Sequence, residues 1–158
     1  MAIDASLIKA EGSWTGTSRL FLPWLPEGEQ IKVCDSTLKV QVAPESTYAL
    51  VTYDWSIDGE PQEGAMVVSA NSNGHHTAGW SDSWHQNSSV LFLLGTGKGT
   101  RMEAVYSNDD EGSWTWSVEL RFTQEEELNL FMTNIHPGGQ EDWAVDASYR
   151  RASHPGGR

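Results

Sequence analysis

The feature that most narrows what this chain can fold into is a succession of about ten short runs, each of strand length and each closed by a turn signal. Ser13 to Leu22 places Trp14, Gly16, Ser18, Leu20 and Leu22 on one face; Pro23 and Pro26 end it and open an irregular segment to about Asp35. Thr37 to Val42 stops at Pro44, Tyr48 to Ile57 at Asp58-Gly59, and Gly64 to Ala70 at Asn71-Ser72-Asn73-Gly74. His76 to His85 gives way to Gln86-Asn87-Ser88, Val90 to Leu94 to the glycine-rich Gly95 to Gly99, and Arg101 to Tyr106 to Asn108-Asp109-Asp110. Ser113 to Phe122 alternates cleanly, with Trp114, Trp116, Val118, Leu120 and Phe122 on one face. Leu128 to Asn134 ends at Pro137-Gly138-Gly139, and Glu141 to Arg151 completes the series. Only Asp4 to Ala10 reads as a helix, with Asp4 as N-cap and Gly12 just past its end. The expected fold is therefore all-β, an antiparallel up-and-down β-barrel of about ten strands with a short N-terminal helix, since an open sheet of so many strands leaves two edges to protect. Residues 1–152 are expected to form one domain, and 153–158 a disordered tail.

Within that series one stretch concentrates chemistry. Gly79-Trp80-Ser81-Asp82-Ser83-Trp84-His85 sets two indoles, a carboxylate and an imidazole in one extended run. Alternation puts Trp80, Asp82 and Trp84 on one face and His85 on the other. A carboxylate between two rings either lines a site or faces water beside half-buried indoles, because burying a charge is costly unless it is paired. Eight tryptophans spread along the chain suit a ligand cavity or a wide aromatic core.

The formal net charge of -12, with ten basic residues and no cluster of them, removes the electrostatic footprint of a nucleic-acid binder or of a protein drawn to an anionic membrane. A single cysteine, Cys34, forbids an internal disulfide, and no C-x-x-C pair suggests zinc or thiol redox chemistry. With no leader pattern at Met1 to Ser6 and no membrane-length apolar window, a cytoplasmic location is expected. The partner expected is a small apolar or aromatic molecule, with no cofactor; the chain would be a monomer, or a homodimer through an edge near Trp24 and Leu25.

The ligand-binding candidates are Tyr53, Trp55, Trp80, Asp82, Trp84, Tyr106, Trp114, Trp116 and Asn134. The tryptophan pairs are spaced by two, which a ligand wall and a packed aromatic core require equally. For acid or base catalysis the candidates are Asp82 and His85, with His136 and Glu141 behind them. A regular strand keeps Asp82 and His85 apart, so a dyad there needs a bulge, and Glu141 is expected to support the Pro137-Gly138-Gly139 turn. There is no nucleophile elbow and no P-loop. His75-His76, at a hairpin tip, point apart and are expected to be solvated rather than to bind metal. The pentapeptide Glu11-Gly12-Ser13-Trp14-Thr15 recurs at Glu111-Gly112-Ser113-Trp114-Thr115, read as one turn-into-strand device used twice.

Gly12-Ser13-Trp14 looks like the Gly-x-Trp that opens calycin-type barrels, the lipocalins and fatty-acid-binding proteins among them. Together with Trp80 to His85, Met132 to Glu141 and Ala144 to Arg151, it makes the chain resemble the bacterial DUF1579 family across residues 12–152. The resemblance implies a calycin-like barrel with a cavity and no assigned function. It also implies a structural pairing of Trp14 with Arg150 or Arg151 at the closed end, and, through another calycin-like group, a minority expectation of haem on one of His75, His76, His85 or His136. Relatives carry an arginine where this chain has Ser117, so a pairing of that arginine with Asp82 or Glu119 is absent here. The function expected is small-molecule binding in the aromatic cavity, the alternatives being an enzyme using Asp82 or His85 there and a barrel packed shut.

Overall fold

Ten antiparallel strands close into a ring in the computed structural model, which describes residues 2–86, 89–97, 99–124 and 126–152. In chain order they are β1 (Gly12–Phe21), β2 (Ile31–Val42), β3 (Tyr48–Ile57), β4 (Glu60–Ala70), β5 (His76–Asp82), β6 (Leu91–Gly95), β7 (Met102–Asp109), β8 (Gly112–Gln124), β9 (Glu127–Ile135) and β10 (Glu141–Arg151). Each pairs with its sequence neighbours, and β10 returns to β1, with Trp14 opposite Arg151 and Leu20 opposite Val145. Closure satisfies both edges that an open sheet would leave unpaired. The expected tail 153–158, Asn87-Ser88 and position 98 of the glycine-rich turn lie outside the described residues.

The strand bounds follow the sequence pattern, though β4 starts at Glu60 rather than Gly64 and β7 runs on to Asp109 rather than ending at Tyr106, and two further differences have a clear cause. β2 begins at Ile31, well before Thr37, because the segment after Pro26 needs only a short turn before it can pair Ile31 with Phe21. β5 ends at Asp82 instead of running to His85, for a reason that lies in the carboxylate itself, described below.

One end of the ring is plugged by α1 (Ala5–Lys9), whose N-cap Asp4 accepts from the Ser6 backbone N–H. Ile3, Leu7 and Ala10 are buried with Trp14, and below them Leu38, Val40, Val51, Met66, Leu93, Met102 and Leu130 fill the interior. Each buried Leu, Val, Ile or Met among them contributes about 1.5–3 kcal/mol by leaving water. The Trp14 indole donates to Ala10 O at 2.9 Å, and the Arg151 guanidinium lies 4.4 Å from the ring centre. Arg151 also donates to the carbonyls of Glu11 and Lys9, fixing the end of α1 to the closing strand. Arg150 points away and pairs with Glu127.

His76 is buried at this same end, only 5% exposed, and not solvated as the hairpin position suggested. It begins β5 on the inward face, where Ala78 and Trp80 follow it. Outward positions on β1 and β2 are mostly polar, whereas Val67, Val90, Phe92, Leu94 and Val105 stand exposed around β4 to β7. Among the described residues no helix is long and apolar enough to cross a membrane.

Candidate functional site

The interior between the plug and the opposite end is crossed by a polar cluster built on Asp82, which is 1% exposed. Its Oδ2 accepts from Tyr53 Oη at 2.7 Å and Trp55 Nε1 at 3.3 Å. Its Oδ1 accepts from the backbone N–H groups of Trp84 and His85, both at 2.9 Å, and faces His85 Nδ1 at 3.2 Å. Tyr53 Oη in turn accepts from Trp80 Nε1 at 2.8 Å. Capturing two successive backbone N–H groups is what ends β5: the carboxylate caps a turn, and Gln86 N donates to Asp82 O at 3.1 Å to complete it.

That turn overturns the expectation that Asp82 and His85 occupy opposite faces. His85 is carried back over Asp82 and packs among four indoles, with ring centres 5.4 Å from Trp55, 6.2 Å from Trp80, 4.9 Å from Trp84 and 5.4 Å from Trp116. The reading of Asp82 as a solvated carboxylate is also excluded. Burial works to raise its pKa, but the His85 hydrogen bond and charge, the His85 backbone N–H and the Tyr53 hydroxyl outweigh it, and the carboxyl lies below its ordinary value. Burial and the neighbouring Asp82 charge push the Tyr53 phenol well above its own. Asp82 is thus the charged acceptor and Tyr53 the neutral donor. Gly64, opposite Tyr53, makes room for that phenol: a Cβ there would stand 2.1 Å from Tyr53 Cζ.

Next to this cluster Tyr149 Oη lies 2.7 Å from Ser36 Oγ, which donates to Asp54 O. The hollow these groups leave with Leu130, Met132 and Ala147 measures about 10 Å³, room for one water at most. The barrel interior is therefore packed shut at Tyr53, Trp55, Trp80 and Asp82, and these four candidates form its floor.

Above the floor the ring opens. A cavity of about 410 Å³ is lined by Trp24, Trp84, Trp114, Trp116 and Trp143 with Phe21, and its polar groups include His85, Tyr106, Asn134, His136 and Asp142. Trp84 stacks on Trp24 at 6.5 Å and meets Trp55 edge-on at 5.7 Å; Trp116 stacks on Trp80, one layer down, at 5.8 Å. Tyr106 Oη donates to Asn134 Oδ1 at 2.7 Å, and His136 Nε2 lies 2.6 Å from Asp142 Oδ2 with its ring 4.6 Å from Trp114. Trp114 Nε1 donates to Asp109 Oδ2 at 2.7 Å.

Two bulges build this wall. Between Val105 and Ser107 the register of β7 against β8 shifts, so Tyr106 is an extra residue beside Trp116, 6.2 Å away and edge-on. Between Trp143 and Val145 the register of β10 against β9 shifts, so that Asp142 opposite Asn134 and Val145 opposite Met132 both face inward despite their odd spacing. Of the nine binding candidates, Trp84, Tyr106, Trp114, Trp116 and Asn134 thus meet at the mouth. Phe21, Asp142 and Trp143 escaped the sequence reading, Trp24 entered it only as a dimer edge, and His136 only as an acid–base or haem candidate; for Asp142 the signal was present, since it faces His136 across the Pro137-Gly138-Gly139 hairpin turn.

Two further expectations change. Glu141 pairs with Arg101 rather than with the turn, whose backbone closes on itself through His136 N to Gln140 O. Ser117 lies on the face opposite Trp116, and Glu119 pairs with Arg121, so an arginine at 117 would meet neither Asp82 nor the cavity. Among the described residues no three His, Cys, Asp or Glu side chains gather to hold a metal ion.

No family model matches the chain, and no curated protein matches it. Among solved structures it is similar to a redesigned β-barrel at 12% identity and a TM-score of 0.49, covering 97% of this chain and 100% of that one. A de novo designed fluorescence-activating β-barrel gives 13% identity and a TM-score of 0.49, covering 95% of this chain and 100% of that one. A protein of unknown function from the DUF3598 family of Nostoc punctiforme gives 7% identity and a TM-score of 0.45, with 96% of this chain spanning 51% of that one.

Proposed function

We propose that this protein binds a small, planar, mostly apolar molecule in the mouth of its barrel and not in the barrel interior. The observation that carries the reading is the convergence of five indoles and Phe21 on one cavity of about 410 Å³ directly above a floor with almost no empty space. Pockets of this size, aromatic on most sides with a few convergent polar groups, suit drug-sized or smaller ligands. The indoles offer flat faces, so a planar ring system gains stacking as well as burial. The resemblance to the DUF1579 family assigns no ligand and adds nothing to the choice.

The test is native mass spectrometry of the protein as purified from cells, followed by titration of tryptophan emission with a panel of planar aromatic compounds. Binding is expected to quench or shift the emission, and Trp84→Ala and Trp114→Ala to weaken it about tenfold or more. Emission that stays fixed across the panel, with a clean apo mass, would remove the reading.

The catalytic alternative narrows to His85. Asp82 is enclosed by five donors and cannot reach a ligand, but it orients the imidazole, and His85 borders the mouth cavity. An activity lost in His85→Phe and linked to a bound aromatic substrate would favour this second reading.

A further inference from the structure

Two residues that line the mouth each carry a ring nitrogen whose hydrogen-bonding capacity no described residue meets. The first belongs to His85. Its Nδ1 faces a carboxylate that can only accept, so Nδ1 carries a proton, and in the neutral form of the ring Nε2 presents a lone pair. No described residue donates to that Nε2. The second is Trp116 Nε1, a buried N–H with no partner among the described residues; the only other such side-chain atom is His76 Nε2, at the plugged end. The Trp116 and His85 rings are neighbours, 5.4 Å between centres, and both border the mouth cavity. A buried donor without an acceptor costs about 1–3 kcal/mol, so native structures supply a partner, either water or ligand.

We propose that His85 and Trp116 together read a hydroxyl group on the ligand, and that the ligand class is a planar aromatic molecule bearing a phenol-type hydroxyl. This rests on the reading of the mouth as a binding cavity and adds the chemistry of its polar end. A hydroxyl is the smallest group that donates to His85 Nε2 while accepting from Trp116 Nε1, and a water bound between the two is displaced by a group that reproduces both bonds. The ring system that carries the hydroxyl lies against Trp84, Trp114 and Trp116. A ligand lacking the hydroxyl leaves both atoms unmet, and sites that hydrogen-bond a substrate hydroxyl discriminate strongly against analogues without one. Asp82 acts here as a positioning residue: it fixes the tautomer and the ring plane of His85 without touching the ligand.

The experiment compares 2-naphthol, 2-methoxynaphthalene and naphthalene by isothermal titration calorimetry on the full chain. These probes share one ring system and differ in donor and acceptor. The wild type is expected to bind 2-naphthol about tenfold more tightly than the methyl ether, and the ether more tightly than naphthalene. His85→Phe should erase the preference for naphthol over the ether to within about twofold, while Trp116→Phe should erase that of the ether over naphthalene. Equal binding of all three by the wild type would overturn the hydroxyl assignment and leave the aromatic cavity standing. A naphthol preference that survives in folded His85→Phe would do the same. Binding of none of them would overturn both readings. The wild-type comparison needs no variant, so the assignment is tested even where a substitution disturbs folding.

Discussion

The pentapeptide Glu-Gly-Ser-Trp-Thr occurs at both ends of this barrel and has opposite fates. At Glu11 to Thr15 it opens β1 beside the plug; at Glu111 to Thr115 it opens β8 at the mouth. The backbone device is the same, a glycine at positive φ (129° at Gly12, 124° at Gly112) that leads a tryptophan onto the inward face. Trp14 then disappears, 1% exposed, its N–H on Ala10 O and Arg151 across its ring. Trp114 stays half-buried, its N–H on Asp109 and His136 against its ring. What differs is the chain that comes before: helix α1 folds over the first indole, whereas a tight hairpin precedes the second and covers nothing. Five residues specify where a ring points, but whether it becomes core or site wall is decided by what else the chain brings there.

The comparison is broken most forcefully at the plug. Trp14→Ala is expected to cost about 3–5 kcal/mol, a fall in melting temperature of roughly 10 °C or more, while ligand binding in the surviving folded protein stays within about twofold. Calorimetric melts and titrations on the same samples check both halves. Asp82→Asn comes next, at about 3 kcal/mol, because the amide offers one acceptor oxygen where five donors converge.

Acid sharpens that second result. The folded Asp82 carboxyl lies below its unfolded value of about 3.9, so the stability it contributes is present above that pH and drains away as pH falls toward the folded value. Melting temperature should therefore drop on acidification below about pH 4 more steeply in the wild type than in Asp82→Asn. Parallel curves for the two proteins would mean that other carboxylates carry the acid limb.

Arg151→Ala should cost about 1–2 kcal/mol, through loss of the cation–π contact and of the two carbonyls it caps, and read out as a melting temperature lower by roughly 2–8 °C. Trp114→Ala gives the smallest change in stability, under about 1 kcal/mol, yet a tenfold or greater loss of ligand affinity. If Trp114→Ala destabilised the protein as much as Trp14→Ala, the distinction between plug and mouth would collapse.

The same contrast explains what could be read from the chain beforehand. Strand runs are written in period-two alternation and in turn residues, and Tyr48–Ile57 and Glu141–Arg151 end where the pattern says they should. The candidate site was less legible because it is made where the period breaks. Ser83-Trp84-His85 continues the alternation of β5 in sequence, and nothing local reveals that Asp82 will take up the next two N–H groups and fold His85 back over itself. Tyr106 and Ala144 sit in bulges, whose single extra residue changes which neighbours face inward, and Trp24 reaches the mouth from a segment without any period. Composition signalled that aromatic rings would gather; it did not distinguish the rings of the floor, which are hydrogen-bonded and enclosed, from those of the mouth.

The ring has one short seam. Among the described residues β6 pairs with β7 in register at Leu94–Glu103 and Gly95–Met102, with Thr96 N–H donating to Arg101 O at the turn, whereas β8 and β9 pair along nearly their whole length. A closed cylinder breathes where it is least stitched, so amide protons of Leu91 to Gly95 should exchange with solvent through local opening well before those of β8 to β10, which wait for global unfolding. Beyond that seam β7 runs on to Tyr106 at the edge of the mouth. Both pairings lie toward the plugged end, where Leu94 also faces Thr77, and toward the mouth no register pairing joins β6 to β7 among the described residues, so the barrel wall is least stitched, and most compliant, beside Tyr106 at the rim.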